Sequence, residues 1–192
     1  MFTRRNGYTL IELLITMAII GLMAGIALPN FQKMRNRMAL RAAAGELRSI
    51  FHLVRMRALS TNRNNGIKFL QIAGVWHFIL YEDGDGDGVR NDDIKSGVDI
   101  PLSPPRVVFP EARNITIGLI DVAVKDADGD LVKSAVTFNN STICSFSPIG
   151  ESTPGTIYIT DSDGDLWCVR VYGASAKIRT LRYDRRTLKW VA

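Results

Sequence analysis

Residues 8–28, YTLIELLITMAIIGLMAGIAL, carry a single charge in 21 positions, and it is an acid, Glu12. A helix needs about 20 mostly apolar residues to cross a bilayer, so the run is long enough to span one. A carboxylate at mid-bilayer costs at least about 2.5 kcal/mol on insertion scales, so an acid there calls for a partner. Arg4 and Arg5 precede the run, and Lys33, Arg35, Arg37 and Arg41 follow it. Positive charge on both sides leaves the orientation open.

Three readings of this segment compete. It is a plain signal anchor, or a secretory signal cut after the small-x-small site Gly25-Ile26-Ala27. In the third reading a short leader is cut at Gly7-Tyr8, with Arg4-Arg5 as its basic flank, and the apolar run stays on the mature chain. The first two leave Glu12 as an unexplained cost.

Arg-Arg-Asn-Gly followed by Tyr-Thr-Leu-Ile-Glu-Leu-Leu resembles the processing site of type IV pilins and type II secretion pseudopilins. The resemblance implies a leader of residues 1–7. A prepilin peptidase would cut after Gly7, and the new N-terminus at Tyr8 would be methylated. Glu12 then falls at the fifth mature position, where the family carries its glutamate. Gly21 and Pro29 match the helix-softening glycine and proline. Phenylalanine is commoner than tyrosine at the first mature position. Inside a bundle of such helices, Glu12 of one subunit meets the α-amine of the next, and the pairing offsets the desolvation of each charge. The resemblance further implies a single pass through a bacterial inner membrane, a periplasmic head, and other pilins or pseudopilins as partners.

Past the apolar run the helical period continues. Phe31, Met34, Met38 and Ala42, then Leu47, Ile50, Phe51, Val54 and Ala58, recur at steps of three and four. Pro29 lacks one donor and need not end a helix. The turn-rich Thr61-Asn62-Arg63-Asn64-Asn65-Gly66 should end it. The expected organisation is an apolar helix over 8–29, its amphipathic continuation over 30–61, and a globular head over 62–192. The arginines along 33–63 read as a solvated face.

Beyond Gly66 the period becomes that of strands. A hairpin is expected over 67–72 and 75–81, turning at Ala73-Gly74. Further strands are expected over 106–109, 115–124, 131–138, 156–160, 166–172 and 177–183. The fold class is α+β: one long N-terminal helix packed on an antiparallel β-sandwich head. This order, with Pro154-Gly155-Thr156-Ile157-Tyr158 and the late Ala176-Lys177-Ile178-Arg179, resembles the GspH/FimT-type minor pseudopilins. That resemblance implies a minor subunit near a filament tip. If the head is exported, a disulfide between Cys144 and Cys168 is expected; two buried thiols are the other reading.

Charge is unevenly spread. Residues 33–63 hold eight Lys/Arg and one acid, 64–169 hold seven against sixteen acids, and 170–192 hold seven against one. The acids concentrate in turns. Asp83, Asp85 and Asp87 fit positions one, three and five of a calcium loop, Gly88 fits its sharp turn and Asn91 its ninth position. Ile94 stands where the closing glutamate belongs, so Asp92 or Asp93 would have to substitute. The candidate Ca2+ ligands are Asp83, Asp85, Asp87, Asn91 and Asp93; no cofactor is required. Asp126-Ala127-Asp128-Gly129-Asp130 and Asp161-Ser162-Asp163-Gly164-Asp165 read as hairpin turns.

Catalysis is not expected. The two histidines, His52 and His77, sit in a helix and a strand; no phosphate-cradling loop or nucleophile motif is present. A second reading is a DNA-binding minor pilin. Lys177, Arg179, Arg182, Arg185, Arg186 and Lys189 would contact phosphates, with Tyr183 and Trp190 as stacking faces. A basic edge strand kept soluble by its charge explains the same residues.

Overall fold

The computed structural model describes residues 8–110, 114–120, 123–126 and 129–191. A single helix, α1 (Leu10–Thr61), takes up 52 of them, about 78 Å at 1.5 Å per residue. Thr9 caps its start in an extended conformation, and its hydroxyl accepts the Glu12 N–H at 3.3 Å. The Thr-x-x-Glu spacing is a capping signature, and an acid in the first turn also suits the helix dipole. The helix runs on through Gly21 and Pro29 and stops at Asn62, whose left-handed backbone (φ 53°) turns the chain out.

The two halves of α1 have different surroundings. Between Leu10 and Ala39 the described side chains are exposed, apart from a partly buried Asn36. From Leu40 onward one stripe is buried: Leu40, Ala43, Ala44, Leu47, Phe51, Val54 and Ala58. The expected stripe is therefore correct from Leu47 on and wrong before it. Phe31, Met34, Met38 and Ala42 are exposed. At 100° per residue they lie about 170° around the helix from the buried stripe.

The head is two antiparallel sheets. The first has the order β3 (Ile100–Pro101), β2 (Val75–Glu82), β1 (Asn65–Ile72), β7 (Ile143–Phe146), with β4 (Arg106–Val107) also on β2. The second runs β11 (Lys189–Val191), β10 (Ile178–Asp184), β9 (Leu166–Val171), β8 (Gly155–Asp161), β5 (Ile115–Ile117), with β6 (Val136–Phe138) also on β8. The β1–β2 hairpin pairs Ile72 with Val75, leaving Ala73 and Gly74 as a two-residue turn, both at positive φ. That is the twist a tight hairpin needs.

Helix and sheets share one core. Phe51 of α1 sits amid Phe69 of β1, Phe138 of β6 and Phe146 of β7, with ring centroids 5.8–6.3 Å apart. Burying a side chain of this size contributes about 1.5–3 kcal/mol before any ring-geometry term. A second apolar cluster lies on β8–β10, away from that core: Tyr158, Leu166, Cys168, Leu181 and Tyr183, covered by Leu119, Ile120, Val124, Val132 and Trp190.

Several expectations change, among them the strand expected over 106–109, which shortens to β4. The strand expected over 115–124 is β5 alone; Leu119, Ile120 and Val124 are apolar because they cover the second cluster, and residues 121 and 122 lie outside the described set. The strand expected over 131–138 shortens to β6. The short helix α2 (Asn91–Ser96) and strands β3, β7 and β11 add to the expected elements. The disulfide does not form: both thiols are free and buried. Cys144 on β7 belongs to the central core and Cys168 on β9 to the second cluster, so the sheet separates them.

Candidate functional site

The first candidate is the start of α1. Tyr8 is 85% exposed and Glu12 is exposed one turn into the helix, while Gly7 and the leader lie outside the described residues. Leu10, Ile11, Leu13, Leu14, Ile15 and Met17 are all at least half exposed around Glu12. The helix is long and apolar enough to cross a membrane, and none of its most apolar window is buried by the rest of the chain. Gly21 has nothing within 4 Å of where a Cβ would stand. A cylinder of exposed Leu, Ile and Met has no place in water, so this half requires lipid or other helices.

The second candidate is the acidic loop between β2 and α2. Ligand oxygens of Asp83, Asp85 and Asp87 lie within 4.8 Å of one another. Asp93 is not in that cluster; its backbone C=O accepts the N–H groups of Val98 and Asp99. Asp83 is buried, and both of its oxygens are engaged. Oδ1 accepts the N–H groups of Asp85 (3.1 Å) and Gly86 (2.9 Å); Oδ2 accepts the Gly88 N–H (2.8 Å) and the Asn64 amide (2.6 Å). Burial pushes the Asp83 carboxyl up, but these four donors outweigh it and hold the group below the ordinary carboxylate value. Arg90 donates to Asp87. Asp99, also buried, accepts the Gly84 and Arg90 N–H groups at 3.3 and 2.9 Å. The loop thus holds its shape with its own donors; a Ca2+ ion would draw on Asp83 and Asp87, which already have partners.

The two turns with the related spacing share this construction. In 161–165, Asp161 Oδ1 accepts the N–H groups of Asp163 (3.1 Å) and Asp165 (2.8 Å). In 126–130, Asp126 Oδ1 accepts the Asp130 N–H at 2.9 Å, and Lys125 bridges Leu131; residues 127 and 128 lie outside the described set. The 161–165 segment is the tight turn expected between β8 and β9; the strands expected on either side of 126–130 do not form there.

The third candidate is the basic C-terminal segment. Lys177, Arg179, Arg182, Arg185, Arg186 and Lys189 are exposed. Arg179 and Arg182 lie three apart on β10, so alternation points them to opposite faces. Arg185 donates to the Gly164 carbonyl. Tyr183 and Trp190 are not free stacking faces. Their rings pack on each other at 5.1 Å, Trp190 also meets Tyr158 at 5.6 Å, and its indole N–H donates to the Lys125 carbonyl. Tyr183 is part of the second apolar cluster and Trp190 covers it. His52 accepts from Arg48, and His77 Nδ1 lies 2.9 Å from the Val75 carbonyl.

The family profile of the prokaryotic N-terminal methylation motif matches residues 2–28, the segment that holds Gly7, Tyr8 and Glu12. This N-terminal segment is type IV pilin-like. It is 46% identical over 48 residues to the type IV major pilin protein PilA of Myxococcus xanthus (strain DK1622). The match takes in 25% of this chain and 22% of that relative, so it spans about a fifth of the relative's length. No solved structure matches the chain.

The pilin-like segment is the legible part of the site. Two features escaped sequence reading: the saturation of Asp83, and a contact between the helix and the 161–165 turn. Asn36 Nδ2 donates to Asp163 Oδ2 at 2.8 Å, and Arg37 Nε donates to Asp165 Oδ2 at 3.1 Å. The shared Asp-x-Asp-Gly-Asp spacing was a signal for the turns, but not for what they hold.

Proposed function

We propose that this chain is a structural, non-enzymatic filament subunit: a minor pilin or pseudopilin of a type IV pilus or a type II secretion pseudopilus, seated near the tip. The observation that carries this reading is the bare first half of α1, an apolar helix with one acid and no cover from its own head. Such a surface is stable only against lipid or against neighbouring helices of the same kind. The outer face of the head-bound half extends it, since Leu53 and Met56 there, like Phe31, Met34 and Met38 ahead of Leu40, are all more than half exposed.

In this reading the prepilin peptidase removes residues 1–7 in the inner membrane and Tyr8 becomes the methylated terminus. The head stands in the periplasm, and Glu12 answers the α-amine of an axial neighbour. The same acid also suits its own helix, being the first-turn partner of Thr9. The two roles separate by experiment. Glu12→Leu is expected to insert into membrane at the wild-type level and to lose co-purification with its filament partners. Glu12→Leu recovered in filaments at the wild-type level would refute the pairing. N-terminal sequencing of the native, membrane-extracted protein should begin at Tyr8. The DNA-binding reading has less support, because Tyr183 and Trp190 are occupied and the arginines divide between two faces.

A further inference from the structure

α1 is unbroken, so a residue's place along it sets its height above Leu28, where the apolar run ends. At 1.5 Å per residue, Asn36 stands about 12 Å past Leu28, and Arg55 stands about 27 Å beyond Arg37. These two levels locate both ends of the C-terminal basic segment. At the lower level, Asn36 and Arg37 donate to Asp163 and Asp165 of the 161–165 turn, and Arg185, in the turn between β10 and β11, donates to Gly164. At the upper level, Arg55 donates to the Ala176 carbonyl, next to Lys177. Arg185, Arg186 and Lys189 therefore lie at the end of the head nearest the apolar run, and Lys177 and Arg179 lie toward the other end. The stem meets the first group with charge of the same sign. Lys33, Arg35 and Arg37 are exposed there, and residues 29–41 contain no acid.

We infer that this end of the head is a docking surface for the headgroups of anionic phospholipids, made jointly by the stem and the β10–β11 turn. The inference rests on the reading that the first half of α1 spans a bilayer, and it names what the head then meets. The 21 residues from Tyr8 to Leu28 match a hydrocarbon core of about 30 Å, and the headgroup layer adds about 5–7 Å on each side. Lys33, about 7.5 Å past Leu28, stands at the outer limit of that layer. Arg35, Arg37 and the β10–β11 turn follow within one side-chain length, and long basic side chains reach toward the phosphates. The nearby acids already have partners. Asp163 accepts from Asn36, Asp165 from Arg37, and Asp184 from the Arg186 N–H and the Thr187 hydroxyl. Lys33, Arg35, Arg186 and Lys189 are exposed and form no salt bridge among the described residues. Four cations thus remain for an external anion, on two segments far apart in sequence and level along the helix.

The test uses the full chain in vesicles of phosphatidylcholine with about one-fifth phosphatidylglycerol. A donor dye goes on Leu188→Cys, at an exposed position of the β10–β11 turn, since Cys144 and Cys168 are buried. Energy transfer to trace acceptor-labelled phosphatidylglycerol is compared with transfer to acceptor-labelled phosphatidylcholine. Phosphatidylglycerol is expected to be enriched about threefold at low salt, with the preference lost by about 0.5 M salt. Lys33→Gln/Arg35→Gln/Arg186→Gln/Lys189→Gln should abolish the preference at low salt. Lys177→Gln/Arg179→Gln, which removes charge toward the other end of the head, should keep it. Equal transfer to both lipids in the wild type, or equal loss in the two variants, would overturn the inference. So would a short DNA duplex that binds the detergent-solubilised chain through the same four residues while no lipid preference is seen. Carbonate extraction separates the two readings. A chain retained in the vesicles with equal transfer overturns the docking surface and leaves the filament reading standing, whereas a chain released by carbonate overturns both.

Discussion

The two halves of α1 are one continuous helix, each carrying an apolar surface, and they serve opposite ends. From Leu40 to Ala58 the apolar stripe faces two sheets and makes the middle of the core. Before Leu40 the described apolar side chains are exposed. The difference shows that helical amphipathicity alone does not say what a face packs against. An apolar face closed by its own head contributes to folding stability. An open one contributes only in lipid or in an assembly, and is a liability in water.

The contrast breaks most easily at Phe51. Phe51→Ala empties the centre of the four-ring cluster and should lower head stability by about 3–5 kcal/mol in chemical denaturation. Leu14→Ala, in the bare half, should stay within about 0.5 kcal/mol. Comparable losses at both sites would mean that the first half folds against the head after all.

A smaller effect is expected at Asp83. Asp83→Ala strands three backbone N–H groups and the Asn64 amide, and should cost about 2–4 kcal/mol at pH 7. The carboxyl of Asp83 is held below its ordinary value. Its stabilisation is therefore present above the unfolded-state value and is lost as pH falls through the lower folded-state one. The gap between wild type and variant should close in strong acid. A gap that persists below pH 2 would show that shape, rather than charge, holds the loop.

The smallest expected effect has the opposite sign. Asp161 is buried, and its Oδ2 has no hydrogen-bond partner. Burial pushes this carboxyl above its ordinary value, although the Asp165 N–H pulls the other way. For an acid shifted upward, stability is greatest below the unfolded-state value and falls as pH rises through the folded-state one. Asp161→Asn keeps Oδ1 for Asp163 and Asp165 and removes the buried charge. It should stabilise the head by about 1 kcal/mol at pH 7 and by less at pH 4. An equal or larger gain at pH 4 would show that Asp161 is not the group that titrates. Asp83 and Asp161 open turns of nearly the same sequence, and these shifts separate them.

How much was legible follows from how local each signal is. The span of α1 was legible because a 21-residue apolar run, a helical stripe and the Thr61–Gly66 breakers all lie within short windows. The β1–β2 hairpin was legible for the same reason, through Ala73-Gly74. The apolar residues 119, 120 and 124 were read as strand because apolar periodicity reports burial and not the ladder. Cys144 and Cys168 looked like a bond because a list of residues does not reveal which face of a sheet each occupies. Tyr183 and Trp190 looked like ligands for bases because their mutual packing joins β10 to β11 and to Tyr158 on β8.

From the sequence alone come a helix long enough for a membrane, the single acid four residues after Tyr8, and the motif that surrounds both. Those depend on neighbours a few residues away. The fold alone decided which half of the helix is covered, which aspartates turn inward, and that Asn36 and Arg37 lie against a turn some 127 residues further on. Burial and hydrogen-bond partnership are set by contacts between distant segments, and neither hydropathy nor spacing along the chain contains them.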